Sequence, residues 1–211
     1  MKVCEIFASI QGESSYAGLP CTFVRMSGCN LRCSYCDTVY AYEEGTELTE
    51  NEITGKVHAL GIRIVEITGG EPLLQAGVLP LTKRLLDYGF RVLIETNGSQ
   101  DIRQVDKRAV LIPDVKTPGS GMPNTFLMSN LGHLRPVDEL KFVITGREDY
   151  EWSRNFVKEH SLTGRCTLLF SPAFGMLPPR DLSQWIMEER LEVRLNLPLH
   201  KYIYGPDVRG V

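Results

Sequence analysis

Short apolar, β-branched runs recur along this chain, and nearly every one stops at a cluster of glycine or polar residues. Thr22-Phe23-Val24-Arg25-Met26 leads into a cysteine-rich loop, and Arg63 to Thr68 into Gly69-Gly70-Glu71-Pro72. Arg91 to Glu95 stops at Thr96-Asn97-Gly98, Ala109 to Pro113 at Asp114-Val115-Lys116, and Thr167 to Phe170 at Ser171-Pro172. Leu140 to Thr145 and Glu192 to Leu197 complete the set, and residues 4–11 read as an opening strand or hairpin arm. Helical patterns lie between the runs. Thr49 and Glu52 have capping-box spacing, which predicts a helix over 50–60. A second helix is expected after Pro72 as far as Tyr88, and a fourth near 181–190. The third, over 148–160, sets Trp152, Phe156 and Val157 on one apolar face. Strands alternating with helices predict βα units and parallel strands. Six such units are too few for the closed eight-stranded barrel. The expected fold is α/β: a partial, open (β/α)6-type barrel in one domain over residues 1–211. In such folds the loops at the carboxyl ends of the strands build the site, and those are the loops that carry the unusual residues.

The loop after the first core strand holds Cys29, Cys33 and Cys36, three of the six cysteines, spaced C-x₃-C-x₂-C. Thiolates this close suit one soft metal centre. Structural zinc wants four ligands, and no C-x₂-C partner pair follows downstream, although Cys4 or Cys21 could supply a fourth sulfur. Three adjacent cysteines cannot all pair with one another as disulfides. The favoured reading is a [4Fe–4S] cluster with three protein ligands and one iron left open for chemistry. Cys4, Cys21 and Cys166 sit among apolar residues and read as small buried hydrophobes. His58, His133 and His160 read as solvated. A net charge of −3 implies no broad attraction to nucleic acid. No apolar run approaches the roughly 20 residues of a membrane span. Reduced thiols and the lack of a secretory pattern at the start point to the cytoplasm.

The cysteine spacing, with Tyr35 before the last cysteine and Gly69-Gly70-Glu71-Pro72 after the next strand, resembles the radical S-adenosylmethionine superfamily. Further segments narrow the likeness: Ser9-Ile10-Gln11-Gly12-Glu13, Phe23-Val24-Arg25, Cys36-Asp37-Thr38, Glu95-Thr96-Asn97-Gly98 and His200-Lys201-Tyr202-Ile203-Tyr204-Gly205. Together they resemble the 7-carboxy-7-deazaguanine synthase family from near the first residue to the last. The resemblance implies that the open iron chelates S-adenosylmethionine and that a 5′-deoxyadenosyl radical forms on its reductive cleavage. It implies conversion of 6-carboxy-5,6,7,8-tetrahydropterin into 7-carboxy-7-deazaguanine with loss of ammonia, on the way to queuosine and other 7-deazapurines. It also implies a reducing partner such as flavodoxin or ferredoxin, and a homodimer.

The residue types agree with that chemistry. Gln11 can donate and accept along a pterin edge, and Glu13 can accept a pair of N–H bonds. Arg25 offers a planar fork to a substrate carboxylate. By resemblance Ile10, Gly12, Thr68, His200 and the terminal Val211 join them as substrate contacts. Thr38 is the implied Mg²⁺ ligand, a hard oxygen suited to that ion. Tyr35, Cys36, Asp37, Gly70, Asp114, Val115, Lys116 and Ser171 are the implied S-adenosylmethionine contacts. Glu95 and Lys141 can also reach inward, with no role assigned. Ser14 departs from the glycine common after Gln-Gly-Glu in the family, and is strained there if that position needs positive φ. A glycyl-radical-enzyme activase would share the cysteines but has no use for a pterin-edge reader. A zinc-stabilised, non-catalytic binding module is the rival outside enzymology.

Overall fold

The computed structural model describes residues 1–211. Nine strands form two sheets. The first runs β3 (Thr46–Glu47), β1 (Lys2–Ile10), β2 (Pro20–Met26), β4 (Ile64–Gly69), β5 (Arg91–Thr96), β6 (Val110–Pro113). The second runs β7 (Glu139–Ile144), β8 (Thr167–Pro172), β9 (Arg194–Leu195). β2, β4, β5 and β6 are mutually parallel, as are β7, β8 and β9. β1 pairs antiparallel with β2 and β3, so the opening strand is a hairpin arm. One parallel bridge, Asp114 to Lys141, joins the two sheets, with the Val115 N–H donating to the Lys141 carbonyl at 2.8 Å. The result is an open, curved α/β array, as the alternation predicts.

Its helices are α1 (Glu50–Leu60), α2 (Val78–Asp87), α3 (Arg147–Glu159), α4 (Pro179–Glu189) and α5 (Leu199–Tyr204). The capping box at Thr49 is formed in both directions: the Glu52 N–H donates to Thr49 Oγ1 at 3.2 Å and the Thr49 N–H to Glu52 Oε2 at 2.7 Å. α2 starts later than the sequence suggests, because Glu71 caps a short 3₁₀ turn at Pro72–Leu74 first. No α-helix joins β5 to β6 or β6 to β7. There the buried Asn130 amide ties the loops instead, donating to the carbonyls of Gly98 at 3.0 Å and Gln100 at 2.8 Å. β9 is shorter than the run over 192–197 implies, and α5 was not expected from the sequence.

Strand periodicity sorts the side chains. One face carries Val24, Met26, Val65, Ile67, Val92, Ile94 and Leu111 into a core covered by α1 and α2. Leu140, Phe142, Ile144, Leu168 and Phe170 pack similarly under α3 and α4. On the other, concave face, Leu93, Val110, Ile112 and Leu169 form a small apolar plug. Beyond it the same face carries Arg25, Glu66, Thr68, Glu95, Asp114, Lys141 and Ser171, all lining one cavity. Cys21 is fully buried, as expected, whereas Cys4 and Cys166 are only partly so. His58 and His133 are exposed; His58 packs edge-on against Tyr88 and Phe90, and His160, half-buried, against Phe156.

Candidate active site

The cavity has a volume of about 600 Å³ and opens at the carboxyl ends of the parallel strands. Cys29, Cys33 and Cys36 line it, with Tyr35, Asp37, Thr38 and Gly70 beside them. So do Ile10, Gln11, Gly12, Glu13, Arg25, Thr68, Asp114, Lys116, Ser171, His200 and Val211. Val115 differs from the rest of the expected set: its side chain packs in the core of the second sheet, and strand alternation turns it away from the cavity.

The cysteine loop is seated on Gly70, just past the end of β4. A side chain at Gly70 would place a Cβ 2.0 Å from the Gly28 carbonyl oxygen and 2.9 Å from Cys29 Cβ. Glycine is therefore required for the close approach. Glu71 is structural. Its carboxylate accepts from Thr96 Oγ1 at 2.8 Å, the Asn97 N–H at 2.6 Å and the Leu73 N–H at 3.0 Å, which locks the end of β4 to the end of β5. All six cysteines are free. The Leu31 N–H points at Cys29 Sγ at 3.4 Å, and the Asn97 amide lies 3.9 Å from the same sulfur. Burial pushes the Cys29 and Cys33 thiols up, so deprotonation accompanies metal uptake. Cys29, Cys33 and Cys36 are free thiols of one loop on the cavity wall, a soft donor set that would fit an iron–sulfur cluster.

Beside the cysteines lies the Asp114–Lys116 pair, 2.9 Å apart and buried. Burial opposes the Lys116 charge, but Asp114 outweighs it and holds the ammonium above its ordinary value. Asp114 Oδ1 and the Tyr35 hydroxyl are buried with no protein partner. Orphaned polar atoms on a cavity wall suit a polar ligand, so the wall fits S-adenosylmethionine.

The floor is charged. Lys141 Nζ donates to Glu13 Oε2 at 3.0 Å and to Glu95 Oε1, and lies 3.7 Å from Asp114 Oδ2. Thr68 Oγ1 donates to the other Glu95 oxygen at 3.0 Å. Burial alone would raise Glu95, but Lys141 and the Thr68 hydroxyl pull it well below the usual carboxylate range. Gln11 Nε2 donates to Glu66, while Gln11 Oε1 accepts the Glu13 N–H at 2.8 Å. At the mouth, Arg25 Nε donates to Glu5 at 2.7 Å, leaving both terminal guanidinium nitrogens without a protein partner. The Tyr40 hydroxyl donates to the same Glu5 oxygen at 2.9 Å. The tail closes over this side. Arg209 stacks on Tyr40 with its guanidinium carbon 3.6 Å from the ring centroid and pairs with Glu44 at 3.0 Å. His200 packs against Gly12 so closely that a Cβ there would lie 2.1 Å from its Nδ1.

Ser14 does take positive φ, +64°. Its N–H donates to Asn196 Oδ1 at 2.8 Å, and its hydroxyl accepts the Tyr16 N–H at 3.1 Å. One buried and one partly buried bond hold the strained loop in place. Sequence reasoning missed Glu66, Glu5, Tyr40 and Arg209. Only Glu66 left a signal, as an acid inside a β-branched run.

Residues 23–111 match the radical S-adenosylmethionine superfamily, and the partial barrel with three free cysteines on its rim defines a protein of that class. A 7-carboxy-7-deazaguanine synthase of Koribacter versatilis is 45% identical over 226 aligned positions spanning 100% of both chains. One from Chlorobaculum tepidum is 46% identical over 214 positions, covering 100% of this chain and 97% of that one. The crystal structure of QueE from Escherichia coli superposes with a TM-score of 0.76 at 23% identity, covering 93% and 92% of the two chains. The chain belongs to the 7-carboxy-7-deazaguanine synthase family. As a member it is a radical enzyme that uses a [4Fe–4S] cluster and S-adenosylmethionine, acts on a small molecule and draws electrons from a reductant. None of its helices is long and apolar enough to cross a membrane.

Proposed function

We propose that the chain converts 6-carboxy-5,6,7,8-tetrahydropterin into 7-carboxy-7-deazaguanine with loss of ammonia. One observation carries this reading: the three free cysteines and a separate set of pterin-matching groups share a single cavity. Cys29, Cys33 and Cys36 would hold the cluster. Tyr35, Asp37, Gly70, Asp114, Lys116 and Ser171, with the backbone of Val115, would hold S-adenosylmethionine. When bound, cluster and cofactor supply a carbon-centred radical. The protein contributes placement. Glu13 and Gln11 face the amide and guanidine-like edge, the free end of the Arg25 fork takes the substrate carboxylate, and Ile10, Gly12, Thr68, His200 and the Val211 carboxylate close around the ring. Thr38 would give Mg²⁺ one hard oxygen beside the substrate, and the ion would supply Lewis-acid stabilisation of charge there. Residues 1–211 act as one catalytic unit. A cytoplasmic homodimer reduced by flavodoxin or ferredoxin, without nucleic acid or membrane, belongs to the same proposal. The free thiols support the reducing compartment.

The test is anaerobic. Reconstituted, reduced protein is given S-adenosylmethionine, Mg²⁺ and the carboxy-tetrahydropterin, and the deazapurine acid is the expected product. Intact pterin alongside cofactor cleavage alone overturns the substrate assignment. Thr38→Ala is expected to weaken the response to Mg²⁺. An unchanged Mg²⁺ titration in that variant removes Thr38 from the metal site.

A further inference from the structure

Glu66 is 3% exposed, lies in the middle of β4, and lines the cavity floor. It is not among the residues that would hold the cluster, S-adenosylmethionine, Mg²⁺ or the pterin. Its flanking residues Val65 and Ile67 point the other way, into the apolar core. A carboxyl at this place is costly unless something uses it. Its one hydrogen bond is to Gln11 Nε2, and its other oxygen has no protein partner.

We propose that Glu66 is the positioning residue for Gln11, fixing the amide so that Gln11 meets the pterin edge in one orientation. Gln11 carries a two-fold ambiguity, because its oxygen and nitrogen can exchange places by a flip of the amide. Here both ends are assigned. The Glu13 N–H faces Oε1 at 2.8 Å, so Nε2 must face Glu66. A flipped amide would set its own N–H₂ against the Glu13 N–H. The backbone excludes one orientation, and the Glu66 acceptor rewards the other. The remaining Nε2 hydrogen is thereby free for a ligand acceptor.

The surroundings favour an acceptor without net charge. The charged groups facing Glu66 are Glu95 on β5, Glu13 on the loop after β1, Lys141 on β7 and Arg25 on β2. Burial and the Glu95 carboxylate push Glu66 well above the usual carboxylate range, against Lys141. A neutral carboxyl keeps a carbonyl oxygen that accepts from Gln11. An amide in its place keeps that oxygen too, and this separates positioning from proton transfer.

The inference rests on the pterin reading, and the wild-type reaction is its control. Holoenzymes carrying Glu66→Leu, Glu66→Gln, Gln11→Ala and the double change Gln11→Ala/Glu66→Leu are compared. Glu66→Leu is expected to raise KM for the carboxy-tetrahydropterin about tenfold, the size of one lost hydrogen bond, with kcat and KM for S-adenosylmethionine little changed. Glu66→Gln is expected to recover most of that loss. In the double variant, Glu66→Leu is expected to add nothing to Gln11→Ala, because the residue it positions is gone. Additive effects in the cycle overturn the proposal. So does a Glu66→Gln enzyme whose kcat falls as far as, or further than, that of Glu66→Leu, since that marks a carboxyl active in chemistry. Calorimetric titration of the substrate into each variant gives affinities independent of turnover, and a Glu66→Leu Kd equal to wild type also overturns it. Wild-type enzyme that leaves the pterin intact sinks the functional reading itself, and this inference with it.

Discussion

The two ends of the parallel strands hold the same kinds of ion pair in opposite circumstances. At the carboxyl ends, Lys141 is 7% exposed and meets Glu13, Glu95 and Asp114. At the amino ends, Arg108 is 50% exposed and bridges Asp87 at 2.8 Å and Asp106 at 2.7 Å. Both arrangements pull a carboxyl down. Asp106 falls to about 2 through the Arg108 guanidinium, and Glu95 falls well below its ordinary value despite burial. The shared direction hides a difference in consequence. Water and salt screen the outer pairs, which hold little energy. The inner ones cannot be replaced by water without leaving a buried charge unpaired. The chain therefore concentrates electrostatic cost at its carboxyl rim, where a ligand can use it, and spends surface charge at the other rim on solubility.

The largest expected effect comes from breaking the inner network. Lys141→Met leaves Glu13 and Glu95 without their cation and Asp114 with Lys116 alone, in a cavity that only partly hydrates them. We expect a loss of about 3–5 kcal/mol in stability, as for a buried pair with one partner removed, and turnover reduced at least about 100-fold, a transition-state cost near 3 kcal/mol. The pH dependence supplies the sign. Glu95 is depressed in the folded protein, so its contribution is complete above the unfolded carboxyl value and is lost as pH falls through the folded one. In Lys141→Met that pull disappears and burial raises Glu95 instead. The variant should then gain stability on acidification from pH 7 to 5, relative to wild type. Urea unfolding at both pH values measures it. Parallel losses at the two pH values would show that Lys141 acts by packing, not by charge.

That network also shows where the sequence stops being legible. The alternation of runs, the Thr49 capping box, the cysteine loop and the glycines at the end of β4 are local patterns, and each lies within a few residues of where reading predicted it. The cavity rim follows from them, because loops after parallel strands converge at one end. Long-range partners do not follow. Lys141 meets Glu13 across 128 positions, and Arg209 meets Glu44 across 165. Glu66 in a β-branched run makes sense only once the loop bearing Gln11 is folded over it. The sequence offers no helical pattern on either side of β6, and none forms there, but the tie that replaces it is not legible: one asparagine, Asn130, whose amide bonds reach back to the carbonyls of Gly98 and Gln100.

A smaller effect tests geometry instead of charge on the inner side. Ser14 holds a left-handed backbone whose strain is about 1–2 kcal/mol for an L-residue. Ser14→Ala keeps that strain and removes the acceptor for the partly buried Tyr16 N–H, at a cost of about 1 kcal/mol. Ser14→Gly removes the same acceptor but relieves the strain, and should fall within about 1 kcal/mol of wild type. Urea midpoints order the three proteins. A glycine variant less stable than the alanine one would mean that the loop is not strained at this position.

The smallest effect belongs to the outer rim. Arg108→Ala removes two ion pairs at once, as many as the loss of Asp114 would at the floor and one fewer than the loss of Lys141. Counting pairs would rank it near the top. Screening places it at the bottom, and its urea midpoint should coincide with that of wild type in 0.5 M salt, where the Debye length is only about 4–5 Å by scaling from 10 Å at 0.1 M. Any small loss should show at low salt and vanish as salt is added, while the Lys141→Met deficit persists across the same titration. A salt-resistant loss in Arg108→Ala would mean that the strand-entry rim is electrostatically as closed as the floor, and that the asymmetry between the two ends of the sheet is not what concentrates the chemistry at one of them.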